Sequence, residues 1–205
     1  MLLCDIGNTS YHFFDGKRDY KELVAGFDPS RIKEKIYYIS VNSQTKNQLK
    51  NLTNWIDLEA FVDRIDYYET MGIDRIAALQ SLQDAVVIDA GSAVTVDLLK
   101  NGEFEGGFII PGVKSMQECY KNISDRLDYS FNFELDLGKM AKNSQDAISY
   151  GYLKPFYDEI RGKELPIILT GGDASEFKKL FPDATIDQEL IFKGMKQIIK
   201  KAHLC

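Results

Sequence analysis

The sequence is poor in the residues that build metal clusters and disulfide frameworks. Two histidines, His12 and His203, are too few for a multi-histidine site, and the three cysteines, Cys4, Cys119 and Cys205, are scattered without CxxC spacing. An odd, dispersed set of this kind speaks against a zinc site or a disulfide scaffold and fits reduced thiols. No apolar run approaches the ~18 residues that cross a bilayer. No basic stretch precedes the first strand-like segment, so no signal peptide is expected and the cytoplasm is the expected compartment. Positive charge is short as well, with 25 Lys and Arg against 31 Asp and Glu and a net charge of −6. That balance argues against a nucleic-acid partner. The phosphate motifs GxxxxGK[ST] and GxGxxG are missing, which sets aside P-loop and dinucleotide-fold readings.

What is present is a chain of ordinary globular composition, 44% hydrophobic and 12% aromatic, in which one arrangement occurs twice. Residues 1–4 form an apolar run ending at Asp5, with Gly7 in the turn, and residues 11–14 form a second strand closed by Asp15-Gly16. Residues 85–88 run into Asp89, with Gly91 in the turn, and residues 94–99 follow, closed by Asn101-Gly102. Alternation and turn residues predict further strands over 36–41, 60–62, 104–110 and 166–169. Helices are predicted over 29–35 with Asp28 as N-cap, and over 45–52, 73–82, 113–123, 144–161, 175–180 and 190–202. The fold class expected is α/β, with mixed sheets flanked by helices in two related halves. The division falls at 1–84 and 85–205, with the last helix able to pack back on the first half.

A strand that ends in Asp before small residues carries a carboxylate at its tip, and glycine lets backbone N–H groups approach a ligand. Thr9 and Ser92 add hydroxyls. Phosphoryl transfer is largely charge to be positioned and neutralised, which suits such turns. Asp5 and Asp89 would repel phosphate directly; they suit Mg²⁺, a monovalent cation, or water bound to one. A single Asp-x-Gly turn is common in loops, but two in matching contexts are harder to dismiss. Between them lies Met71-Gly72-Ile73-Asp74-Arg75 at the start of a predicted helix. Asp74 there serves either the helix dipole or as a base for a substrate hydroxyl. Arg75 suits a forked contact with a carboxylate.

Together these motifs resemble the type III pantothenate kinases, members of the actin and sugar-kinase superfamily. The resemblance spans nearly the whole chain: Asp5-Ile6-Gly7-Asn8-Thr9, Gly72-Ile73-Asp74-Arg75, Asp89-Ala90-Gly91-Ser92, Gly106-Gly107 through Pro111-Gly112, and Thr170-Gly171-Gly172. It implies two actin-like (ribonuclease H-like) halves with the active site in the cleft between them, and ATP-dependent phosphorylation of pantothenate, the first step towards coenzyme A. It also implies Mg²⁺, a monovalent cation (K⁺ or NH₄⁺) and a homodimer. By resemblance Asp74 is the proton acceptor, and Tyr68, Gly72, Ile73, Asp74, Arg75 and Ser144 bind pantothenate. ATP falls to Asp5, Ile6, Gly7, Asn8, Thr9, Ser10, Tyr11, His12 and Ser92, with Gly171 and Gly172 near the adenosine. Asp89 holds the monovalent cation and Asp5 the Mg²⁺, through water. The sequence departs from the family at His12 (commonly Lys), Ser92 and Ser144 (commonly Thr), and in the closeness of Tyr68 to the Gly-x-Asp-Arg element. The aromatic segment 129–133 suits either a partner surface or core. Two other readings remain: another kinase or phosphatase of the superfamily, and a regulatory homologue without catalysis.

Overall fold

The computed structural model describes residues 1–204; Cys205 lies outside the described residues. In chain order the elements are β1 (Leu2–Ile6), β2 (Ser10–Phe14), β3 (Asp19–Leu23), β4 (Ile36–Ser40), α1 (Ser43–Leu49), β5 (Trp55–Asp57) and α2 (Ile73–Leu79). They continue with β6 (Ala85–Ala90), β7 (Ala93–Lys100), β8 (Glu103–Pro111), α3 (Val113–Ile123), α4 (Ser144–Arg161), β9 (Ile167–Thr170), α5 (Ala174–Leu180), β10 (Thr185–Ile186) and α6 (Leu190–Lys201). The chain forms two compact units. One holds residues 1–81 and the C-terminal stretch from Glu189, the other Leu82–Gln188. The last helix therefore folds with the first unit.

In the first unit a five-stranded sheet runs β3-β2-β1-β4-β5. The β1-β2 and β2-β3 pairs are antiparallel, while β4 and β5 join in parallel. Alternation along β2 sends Tyr11 and Phe13 to one face, where they meet Phe27 and Trp55. His12 and Phe14 go to the other face and meet Phe192 of α6. Helix α6 also lies on α2. A Cβ on Gly194 would stand 2.6 Å from the Ala77 carbonyl carbon and collide with its oxygen, so the two helix backbones meet with no side chain between them.

The second unit repeats the plan. Its sheet runs β8-β7-β6-β9-β10, with β6-β7 and β7-β8 antiparallel and β9 and β10 parallel. One face of β6 and β7 (Val86, Ile88, Val94, Val96) packs against Leu153, Phe156 and Ile160 of α4 and Phe177 of α5. Phe131 and Phe133 join this core, 9% and 5% exposed, which settles the fate of those two rings as core. Among the described residues no helix is long and apolar enough to cross a membrane.

Two local expectations are corrected, and two strands were not anticipated. The helix expected over 29–35 is a single 3-10 turn, Pro29–Arg31, because Ile32 turns to extended backbone and packs on the first core. Asp28 does cap it, accepting from Ser30 N at 3.0 Å. The strand expected over 60–62 is instead Trp55–Asp57, followed by a 3-10 turn at Leu58–Phe61, since Trp55 and Leu58 are the buried residues there. β3 is exposed along its length and has no apolar alternation, so only its pairing with β2 creates it. β10 is a two-residue strand, too short to leave a pattern.

Candidate active site

Each Asp-x-Gly turn closes the central strand of its sheet. Asp5 is the penultimate residue of β1 and pairs with His12 and Ile39; Asp89 is the penultimate residue of β6 and pairs with Thr95 and Thr170. Both carboxylates are half-buried. The first turn is closed by Gly7 N donating to Ser10 O at 3.0 Å, and the second by Gly91 N donating to Ala93 O at 3.1 Å. Asn8, Thr9 and Ser92 are exposed at the turn tips.

Two later segments press on the second turn. Gly171 (φ +87°) lies against it so closely that a Cβ would collide with Asp89 Oδ1 and stand 2.6 Å from the Ala90 carbonyl oxygen. Positive φ and this approach together leave room only for glycine. Gly112 N donates to Ser92 O at 3.0 Å, and Ser115 Oγ donates to the same oxygen at 3.1 Å. Asp173 N donates to Ala90 O at 2.9 Å. Gly172, in contrast, faces open space.

In the first unit Gly72 opens α2. A Cβ at Gly72 would strike Asp74 Oδ1, so the glycine makes room for that carboxylate to turn back and accept from Arg75 N at 2.8 Å. Burial pushes the Asp74 pKa up, and the Arg75 amide and charge oppose the rise. The Arg75 side chain is buried, at 6% exposure; its Nη1 donates to the Tyr68 hydroxyl and its guanidinium lies 5.6 Å from the Tyr68 ring centre. Tyr68, Gly72, Asp74 and Arg75 are thus one local cluster.

A family model described as type III pantothenate kinase matches residues 20–163. A curated type III pantothenate kinase from Sulfurimonas denitrificans is 62% identical over 205 residues, 100% of both chains. The chain belongs to the type III pantothenate kinases. A crystal structure from Campylobacter jejuni, assigned provisionally to Baf family transcriptional activators, matches a type III pantothenate kinase chain such as this with TM-score 0.87 and 40% identity over 100% of both chains. A provisionally assigned 2-dehydro-3-deoxygalactonokinase from Sinorhizobium meliloti shares the fold at TM-score 0.57 and 9% identity, over 97% of this chain and 95% of that one.

Not every residue inferred from the pantothenate kinase motifs presents a side chain to a ligand. Ile6 and Tyr11 are core residues, 0% and 1% exposed, and Ile73 is 2% exposed. Only their backbones are available for binding. His12 is turned to Asp19, its Nε2 donating to Oδ2 at 2.9 Å, and its ring lies against Phe192. Burial lowers its pKa against the pull of Asp19. The side chain that replaces a common lysine is therefore engaged beneath α6. Ser144 is exposed at the first position of α4, beside its cap Asn143. The motifs did not reveal the Gly112 and Asp173 braces, nor Arg64, whose Nη1 donates to Glu59 Oε1 at 2.6 Å. A basic residue in a polar stretch reads as solvated surface.

Proposed function

We propose that the chain transfers the γ-phosphoryl group of ATP to the hydroxyl of pantothenate, forming 4′-phosphopantothenate on the way to coenzyme A. The observation that carries this reading is the half-buried Asp74 carboxylate at the start of α2, which accepts from the Arg75 amide, next to a buried Arg75 side chain held by Tyr68. A base and a fork on adjacent residues fit an acceptor with both a hydroxyl and a carboxylate, and pantothenate has both. Asp74 receives the hydroxyl proton as the acceptor oxygen bonds to phosphorus and the bond to the departing ADP breaks. Arg75 holds the acceptor carboxylate, with Tyr68 steadying the guanidinium. The backbone of residues 5–10, the Ser92 hydroxyl and the open face of Gly172 serve ATP. Ser144 is assigned to pantothenate by family pattern alone.

The cation assignments rest on donor chemistry. The carboxylate of Asp89 and the carbonyl of Ala90 converge on Gly171, a set of hard oxygens suited to K⁺ or NH₄⁺. Asp5 offers one carboxylate, which suits Mg²⁺ that keeps most of its waters. Bound there, the cations would offset phosphate charge. A homodimer in the cytoplasm belongs to the same reading.

Purified protein incubated with ATP, Mg²⁺ and K⁺ is expected to form phosphopantothenate, with less product when Na⁺ replaces K⁺. Folded protein that makes none would remove the substrate assignment. A regulator without catalysis is the second reading, favoured by the description of the Campylobacter jejuni neighbour. Retention of Asp5, Asp74 and Asp89 weighs against it, and the same assay separates the two.

A further inference from the structure

Residues 62–72 contain no helix or strand, yet Met71 at the end of this stretch is only 2% exposed. The stretch closes around the side chain of Arg64. Nη1 donates to Glu59 Oε1 at 2.6 Å, while Nη2 donates to the Glu69 carbonyl at 3.3 Å and also to the Met71 carbonyl. The other carboxylate oxygen of Glu59 takes Lys46 Nζ from α1. Tyr67 N donates to Arg64 O and Met71 N to Tyr68 O, both at 3.0 Å, which completes the loop. All three charged side chains are 27–28% exposed, so water screens them less than it would a surface pair.

Two parts of the acceptor cluster depend on this loop. The Met71 carbonyl belongs to the peptide that leads into Gly72, and so sets where Asp74 begins. Tyr68 lies inside the loop and receives the Arg75 guanidinium. We propose that Arg64, seated on Glu59 and Lys46, is a positioning residue for the acceptor end of the site, aligning Asp74 and Arg75 without touching substrate. The proposal rests on the reading of Asp74 and Arg75 given above.

The test compares wild type with Arg64→Ala, Arg64→Lys and Glu59→Gln by steady-state kinetics and by hydrogen exchange of residues 65–76. Misplacement by an ångström costs roughly 100-fold in such sites. Arg64→Ala is therefore expected to lower kcat/KM for pantothenate by about 10- to 100-fold, with the KM for ATP within about twofold of wild type. Exchange should quicken in 65–76 and not in residues 2–6. Lysine keeps the charge but cannot fork, so Arg64→Lys should fall between. An ATP KM raised as much as the pantothenate KM, or unchanged exchange in 65–76, would overturn the proposal. If wild type makes no phosphopantothenate, the site reading fails while the exchange arm still decides the clamp. If Arg64→Ala does not fold, Arg64→Lys and Glu59→Gln carry the same readouts.

Discussion

Burial raises the pKa of Asp74, and the Arg75 amide and charge recover only part of the rise. A carboxyl whose folded pKa exceeds its unfolded value holds its proton more tightly in the fold. Its contribution to stability is therefore present below the unfolded value of about 3.9 and lost as pH rises through the folded one. At neutral pH the charged group strains the fold that positions it. Asp74→Asn should accordingly melt higher than wild type at pH 7, while kcat falls roughly 10²- to 10⁴-fold and ATP binding is kept. Calorimetry and single-turnover kinetics check the two arms, and undiminished turnover would remove Asp74 as the base. In wild type the acid limb of kcat should lie above the ordinary carboxylate range. The neighbouring glycines Gly171 and Gly172 separate structure from binding. Gly171→Ala forces a side chain at φ +87° into Ala90 and Asp89 and should cost on the order of 1–3 kcal/mol by denaturant titration. Gly172→Ala meets no atom, so it should leave stability within about 0.5 kcal/mol and weaken ATP binding instead.

Helix α6 comes last in the chain yet serves the first unit. Phe192 stacks on Phe14 with ring centres 5.0 Å apart and meets His12 at 4.9 Å, and Gly194 admits the backbone of α2. Gly194→Ala should push α6 away from α2 and destabilise the protein by about 1–3 kcal/mol despite the better helix propensity of alanine. A melting point equal to or above wild type would show that the helices separate freely. This contact has no local signature, since a glycine within a helical pattern normally only lowers helix propensity. The strands differ in the same way. β1, β4, β6 and β7 carry their own apolar runs and are legible, whereas DYKEL in β3 becomes a strand only through the backbone donors and acceptors of β2.

Across the whole molecule the two sheets share one order, three antiparallel strands followed by two added in parallel, with an Asp near the end of the central strand of each. The repeated strand, Asp-x-Gly turn, strand pattern anticipated this plan, although ten strands were not separately visible. A net charge of −6 leaves little general attraction for a phosphate backbone. No band shift of random duplex DNA is expected at about 0.1 M salt, where charges are screened beyond ~10 Å. Sedimentation at micromolar concentration should show a dimer; a monomer that is fully active would detach the homodimer from the proposed reaction.

The sequence by itself determined where the proposed chemistry is concentrated. Asp5, Asp74, Arg75 and Asp89 stand beside glycines in short contiguous motifs, and local backbone geometry needs nothing beyond its neighbours to be recognised. Tertiary structure decided what each neighbour does. It buried Tyr11, turned His12 to Asp19 and Phe192, placed Tyr68 on Arg75, and drew residues 64–71 around the Arg64 guanidinium. Those outcomes depend on which groups approach from distant parts of the chain, and on burial, which changes charge energetics without leaving a pattern in the sequence. The proposed acceptor pair of Asp74 and Arg75 is legible from four residues; the loop closed around Arg64 exists only in the fold.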